Sequence, residues 1–231
     1  MTKPVKNTGR TRQPRTVRES DIIAAAHAIF SEKGYEKAAM TEIAKQAGVA
    51  EGTIYKYFSN KQDLLARVIS RFYKQLIENT EESLLGVNGF ENQLRVIITR
   101  HIQTFFEDLG LCRLLLQEVR PLHSYPHSEV YQLTSRYSEI LLNAIEAAIV
   151  EGTIREGISS QTVRDMVFGC LEHAGWNVLA AKKSAIDREQ LTHEIITITL
   201  SGLTPVEKKP DAFERNLARL DKLVTRLEEK Q

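Results

Sequence analysis

Cysteine is scarce, with two residues, Cys112 and Cys170, in a chain of 231. They stand in no CxxC or similar metal-type spacing, so they read as two buried thiols in a reducing compartment. No uninterrupted apolar run approaches the ~20 residues of a membrane span. The charged N-terminus lacks the apolar segment of a signal peptide. These absences predict a cytoplasmic chain with no membrane partner. Alternating strand patterns of useful length are missing too; ITITL at 196–200 is β-branched, but it continues a helical stripe from Leu191. No GxSxG, P-loop, HExxH or GxGxxG occurs in a suitable context, which argues against an enzyme and leaves no catalytic residue or cofactor to assign. His123 and His127 flank Pro126 near Glu118. That grouping lacks the further ligands a four-coordinate metal needs, and it reads as a polar loop.

What is present begins with charge. The net +1 conceals an asymmetry: residues 1–61 carry 11 Lys/Arg against 6 Asp/Glu, a balance of +5, whereas residues 62–231 carry 20 against 24, a balance of −4. A basic end on a mildly acidic body suits a polyanion, and charge alone leaves nucleic acid and anionic membrane both open. Residues 1–18 hold six basic residues, no acidic ones and two prolines, which predicts a disordered basic arm. It is either a solubilising tail or a segment lying along phosphates; Arg15 and Arg18, nearest the fold, are the better DNA contacts.

Helical periodicity fills the rest, and the fold class is all-α. Ser20 is the expected N-cap of a first helix whose apolar stripe is Ile22, Ile23, Ala26, Ile29 and Phe30, closed by Gly34. Short helices come next at about 41–47 and 51–57, and Asn60 caps a long fourth helix to about 85. Further helices are expected at 90–108, 111–119, 129–151, 160–182 and 187–201, broken at Gly110, at Pro121 with Pro126, at Gly152 with Gly157, and around 182–186. Residues 203–210 read as a linker. Beyond it, Phe213, Leu217, Leu220, Val224 and Leu227 repeat with a 4-3 spacing, a two-heptad seam that must pack on its own body or on a partner chain.

The most informative segment is TEIAKQAGVAEGTIYKYFSNKQDLL, residues 41–65. Gly48 suits the sharp turn between two helices. Ala44 and Ala47 permit close packing, Val49 and Ile54 supply apolar contact, and Tyr57 with Phe58 ties the third helix down. Glu51, Gly52, Thr53, Tyr55, Lys56 and part of Tyr57 remain outward. Thr53 can meet a base edge. Tyr55, Lys56, Tyr57 and, at the next helix start, Lys61 can donate to phosphates. Glu51 can offset the helix dipole or accept from cytosine. A plain helical hairpin with solvated Tyr and Lys has the same spacing.

The pattern from Ile22 to Leu65 resembles the TetR family of one-component regulators: Gly34-Tyr35, Ile43-Ala44, Ala47-Gly48-Val49, Gly52-Thr53-Ile54-Tyr55, Tyr57-Phe58, Lys61 and Asp63-Leu64-Leu65. The resemblance implies that Glu51 to Tyr57 form a recognition helix and that Tyr55, Tyr57 and Lys61 touch the DNA backbone. One departure stands out. The family's Ser/Thr N-cap before the second helix is replaced by Ala38-Ala39-Met40, so the cap and its phosphate contact are missing unless Thr41 takes the role, which makes Thr41 a further DNA-contact candidate. The resemblance divides the chain into a head at 19–66 and an effector and dimerisation body at 67–202, to which the heptad spacing adds an extra C-terminal helix at 211–231. It also implies a homodimer on near-palindromic double-stranded operator DNA, joined through the helices at 160–182 and 187–201. Val163, Met166, Val167, Cys170, Leu171 and Ala174 are expected on one face, with Leu191, Ile195, Ile198 and Leu200 on the other; Gly169 and Gly175 would allow close approach. The central helices would enclose an effector pocket. Ile98, Ile102, Phe105, Phe106, Leu115, Tyr137, Leu141, Phe168, Glu172 and Trp176 are its candidate lining.

A weaker similarity, in AKQAGVAEGTIYKYF and EGTIREGISSQTVRDMVFG, is to the acyl-CoA-responsive FadR-type branch of the family. It implies a small apolar effector such as a fatty acyl-CoA, with Arg95, Arg100, Arg113 or Arg120 for its phosphates. The alternative is a repressor of efflux or aromatic-compound genes, with a planar ligand stacked on Trp176, Phe105 or Tyr137. An architectural DNA binder and a scaffold using the C-terminal seam are further alternatives. The expected mechanism is a ligand-driven shift toward a dimer with spread heads, transmitted by the fourth helix.

Overall fold

Pro14 fixes its own φ and has no N–H to offer, so the chain turns helical directly behind it. In the computed structural model, which describes residues 14–181, 187–205 and 220, helix α1 spans Arg15–Lys37 with Pro14 as its N-cap. Ser20 is therefore not the cap, and the arm does not reach residue 18: Arg15 and Arg18 are helical. Ser20 Oγ instead accepts from Arg71 at 2.8 Å, and Arg67 pairs with Glu19 at 3.1 Å, docking the start of α1 on α4 (Lys61–Leu84). Residues 1–13 of the expected arm lie outside the described residues, as does the heptad seam apart from an exposed, helical Leu220.

The head is built from α1, α2 (Met40–Gln46) and α3 (Glu51–Ile54). Gly34 leaves the helical region at φ 77° and interrupts α1, so the first helical stretch stops where expected and a short turn to Lys37 follows the kink. Gly48 turns α2 into α3 at φ 65°. Regular helix in α3 ends at Ile54, sooner than expected, and tighter turns carry the chain on: Lys56 N bonds to Thr53 O and Tyr57 N to Ile54 O. Asn60 caps α4 by accepting from Asp63 N. Ile22, Phe30, Ile43, Ile54, Phe58, Leu64 and Ile69 close a fully buried core. That core continues without a break into Leu111, Leu114, Leu115 and Val119, and into Val130 and Tyr137.

Those later residues belong to α6 (Leu109–Leu114), which runs into a π turn at Leu115–Val119, and to α7 (Glu129–Val150). With α5 (Phe90–Glu107), α8 (Ser160–Ala181) and α9 (Arg188–Leu203) they make the body. A second core of Leu94, Ile98, Leu141, Ile145, Val167 and Ile196 lies away from the head. Among the described residues there is no strand, and 196–200 is helix. Leu203, the first residue of the expected linker, is a buried residue of α9, and residues 206–210 of that linker lie outside the described residues.

Gly110 does not break a helix. It sits inside α6, and the break falls at Asp108, which ends α5 and caps α6 by accepting from Leu111 N. A Cβ on Gly110 would lie 2.6 Å from Ser31 O and 2.9 Å from Ser31 Cα, so α6 and α1 meet backbone to backbone. Asp108 fastens the same crossing through His27 and through Ser31 Oγ at 3.0 Å. Burial opposes its charge, but the bonds from His27, Leu111 N and Ser31 prevail and hold its carboxyl below the usual range.

Candidate DNA-reading face and effector cavity

The short α3 leaves one side of the head bare. Ile54 and Phe58 are buried and fix the backbone. Between and beside them Gly52 and Lys56 are exposed, Tyr55 is 50% exposed, and Glu51 and Thr53 are half-buried. The face carrying Thr53, Tyr55 and Lys56 therefore stands clear of the subunit. The guanidinium of Arg15 lies over the Tyr57 ring, 5.5 Å from its centroid, which draws the first turn of α1 to the same side. Arg18, one turn on, is half-buried. Thr41 is exposed in the first turn of α2, but the cap position is Ala39 and no side chain caps the helix. Lys61 is engaged: its ammonium sits 4.5 Å from the Tyr35 ring centroid and donates to Glu36 O at 3.3 Å. To reach a phosphate it must leave or share that site.

The body holds a cavity of about 410 Å³, within the range of small-molecule sites. Its walls come from α4 (Tyr73, Leu76), α5 (His101, Phe105), α6 and the π turn (Cys112, Leu115, Arg120), α7 (Tyr137) and α8 (Phe168, Glu172). Phe105, Leu115, Tyr137, Phe168 and Glu172 thus meet as expected. The others do not. Ile98 and Leu141 are sealed in the second core. Ile102 lines a separate surface groove with Arg95 and Arg188. Phe106 packs at the second core under the Arg188 guanidinium. Trp176 is 40% exposed on the outer side of α8. Helical periodicity placed these residues on apolar stripes but could not say which stripe met the hollow.

His101 is a lining residue that no motif announces. Its ring stacks on Tyr137 and Phe105 with centroids 5.7 and 6.2 Å apart, and Nδ1 lies 3.1 Å from Tyr137 Oη. One edge meets the cavity; protein encloses the rest. Burial, with a smaller contribution from Arg120, pushes its pKa down to about 4, so the ring is neutral at pH 7. An unfolded chain takes a proton on this residue near pH 6.5 and the folded chain does not, so stability falls as pH drops through that window. The contribution to the loss between pH 7 and pH 5 is up to about 2 kcal/mol. Urea unfolding at both pH values, at one protein concentration, should show it, and His101→Phe should remove it. An equal pH response in the variant would refute the assignment.

Arg120 is the cationic candidate that reaches the cavity, where its Nη1 meets Glu172 Oε2 at 2.7 Å. Burial disfavours its charge, but the carboxylate more than compensates and holds its pKa up. Arg113 lies against Gly34 instead. Arg95 pairs with Glu91, and Arg100 donates to Ser83 Oγ.

The expected interface stripes divide in two. Val163, Val167 and Leu171 are at most 3% exposed, and Ile195 is 6% exposed, all facing the subunit's own core; they are corrected from interface to interior. Ala174 is half-buried, and Leu191 and Leu200 are partly buried against the second core. Met166, Cys170 and Ile198 face outward with Trp176, so one of the two thiols is not buried in the subunit. Gly175 faces inward as well, where a Cβ would strike the Phe105 ring at 2.1 Å; a Cβ on Gly169 would meet nothing within 4 Å. His123 and His127 are exposed in the loop before α7. Among the described residues no helix is long and apolar enough to cross a membrane.

Residues 22–68 match the family described as bacterial regulatory proteins, tetR family, and residues 70–201 match the YsiA-like protein C-terminal region. The chain is 29% identical over 182 residues to the "Fatty acid metabolism regulator protein" of Bacillus subtilis, covering 79% of this chain and 93% of the relative. It is similar to the crystal structure of the transcriptional regulator FadR from Bacillus subtilis in complex with stearoyl-CoA, with a TM-score of 0.72 and 29% identity over 79% of this chain and 98% of that one. The fatty acid degradation regulator FadR from Bacillus halodurans is similar at a TM-score of 0.70 and 25% identity, over 80% of this chain and 98% of that one. A bare reading helix on a head that shares its core with a hollow body fits the two matched regions in turn, and the chain belongs to the tetR family of bacterial transcriptional regulators, with an N-terminal helix-turn-helix and a YsiA-like C-terminal region.

Proposed function

We propose that the chain is a cytoplasmic, homodimeric repressor that leaves its operator when a long-chain fatty acyl-CoA enters the body. The observation that carries this reading is the shared wall between cavity and head. Cys112 and Leu115 line the hollow, and the helix they extend lies backbone to backbone on α1. An occupant that moves this helix changes the set of the head, and operator affinity falls by the same coupling factor that operator imposes on the ligand. The acyl-CoA class is supported by the names of the Bacillus relatives and by the apolar side chains of Phe72, Leu76, Phe105, Leu115 and Phe168 on the cavity wall. Exposed Met166, Cys170, Trp176 and Ile198 support a dimer through α8 and α9, which would set two heads roughly 34–36 Å apart. In this reading the head is 19–66 and the body 67–202, with α4 running from one into the other.

The test is a chain-length series on operator duplex bound to full-length protein, from octanoyl- to stearoyl-CoA, followed by anisotropy. Each added methylene should improve release a few-fold, at about 0.8 kcal/mol per buried CH₂, until the cavity is full; CoA alone should release nothing. A flat series, or no release at any length, would sink the reading.

A further inference from the structure

Resting on that reading, we infer that Arg120 is the anchor for the effector's anionic group and that Glu172 is its stand-in, occupying the guanidinium until the ligand arrives. Among the described residues, Arg120 has one hydrogen-bonded ion-pair partner, Glu172, engaged through a single nitrogen. A guanidinium carries five N–H donors in a planar fork that suits phosphate and carboxylate oxygens. The unused donors belong to a side chain that lines the cavity.

The two partners differ in exposure by a small margin. The Arg120 side chain is 36% exposed against 43% for Glu172. A second pair on the same cavity, Arg164 with Asp165 at 2.8 Å, repeats the order more strongly, at 28% against 68%. In both pairs the arginine is the inner member and the carboxylate the outer one. A carboxylate that swings away regains water cheaply, and the guanidinium then keeps an anion, the ligand's. The arrangement therefore favours exchange of one anion for another at the arginine over capture of a cation by Glu172.

The exchange also carries a signal. Glu172 is on α8, and Arg120 closes the π turn that continues α6. The pair is a polar tie between the helix that touches α1 and the helix whose outer face carries Met166 and Trp176. A ligand anion on Arg120 cuts that tie at the same moment that the acyl chain enters among Leu76, Phe105 and Phe168. Phosphate of a CoA thioester and the carboxylate of a free fatty acid share the required chemistry.

Release of operator from full-length protein by palmitoyl-CoA and, separately, by palmitate separates these sources. Arg120→Gln should need roughly 30-fold more of the active compound, and Arg120→Lys should recover part of the loss. Glu172→Gln should move the other way and need several-fold less, because the competing anion is gone; a merely structural tie would instead weaken when cut from either side. Far-UV circular dichroism and gel-filtration mass equal to wild type check folding in each variant, and Arg120→Lys keeps the test open if the glutamine variant does not fold. If the wild type responds to palmitate and not to the thioester, the anchor stands with a carboxylate as its anion. If it responds to a lipid and both Arg120 variants respond equally well, the anchor is overturned while the effector reading survives. If neither lipid releases the wild type, the reading beneath it fails.

Discussion

The double substitution Tyr55→Ala with Lys56→Ala should lower operator affinity by about a thousandfold or more and leave the fold intact. Both side chains are exposed, and neither belongs to the core that Ile54 and Phe58 anchor, so the change is local to the reading face. Hydrogen bonds to a charged group contribute about 1.5–3 kcal/mol each, and a dimer makes every contact twice. Loss of two lysines per dimer should also reduce the slope of log affinity against log salt by about 2. The measurement is anisotropy with an operator selected from random duplex at several salt concentrations, alongside thermal unfolding. A loss below tenfold with an unchanged salt slope would mean that another surface meets the DNA. Ile54→Ala is the contrasting case, because it should fail by unfolding the head.

Gly110→Val should cost about 3 kcal/mol or more of stability and disconnect the effector response from the head. Overpacking a core usually costs about 1–3 kcal/mol, and here the obstruction is Ser31 backbone at 2.6 Å, not a side chain that can rotate aside. The crossing must open, and opening it strains the bonds of His27 and Ser31 to Asp108. Gly202→Ala is the control: a Cβ there meets nothing within 4 Å, and alanine is the better helix former, so stability should hold or rise slightly. Urea unfolding at matched protein concentration reads the difference. Equal stability of the Gly110→Val variant and wild type would show that α1 and α6 do not press together in solution.

Local signals explain most of what the sequence made legible. Asn60, Gly34 and Gly48 each do what their chemistry favours within a few residues, so the head could be laid out before any long-range contact was known. Longer-range choices were hidden. Gly110 looks like a breaker when its neighbours in sequence are all that is visible; its reason is Ser31, far away along the chain. Ser20 resembles a cap until Arg71 claims its hydroxyl. On α8 two apolar stripes share one helix, and nothing in their spacing tells Val167, facing its own core, from Met166, facing out. His101 stayed hidden as well, because its role comes from rings that distant parts of the chain bring to it.

The π turn at Leu115–Val119 has an effect beyond its five residues. Arg120 N bonds to Leu115 O, five positions back, so this turn holds one residue more than an α-turn. At about 3.6 residues per turn, a single residue is worth a rotation of about 100°. That surplus sets the azimuth of the next side chain, bringing a guanidinium to α8 while Leu115 still looks into the hollow. Descendants that lost one residue here would recover a smoother helix and keep the charge in their sequence, but its compass bearing would be wrong.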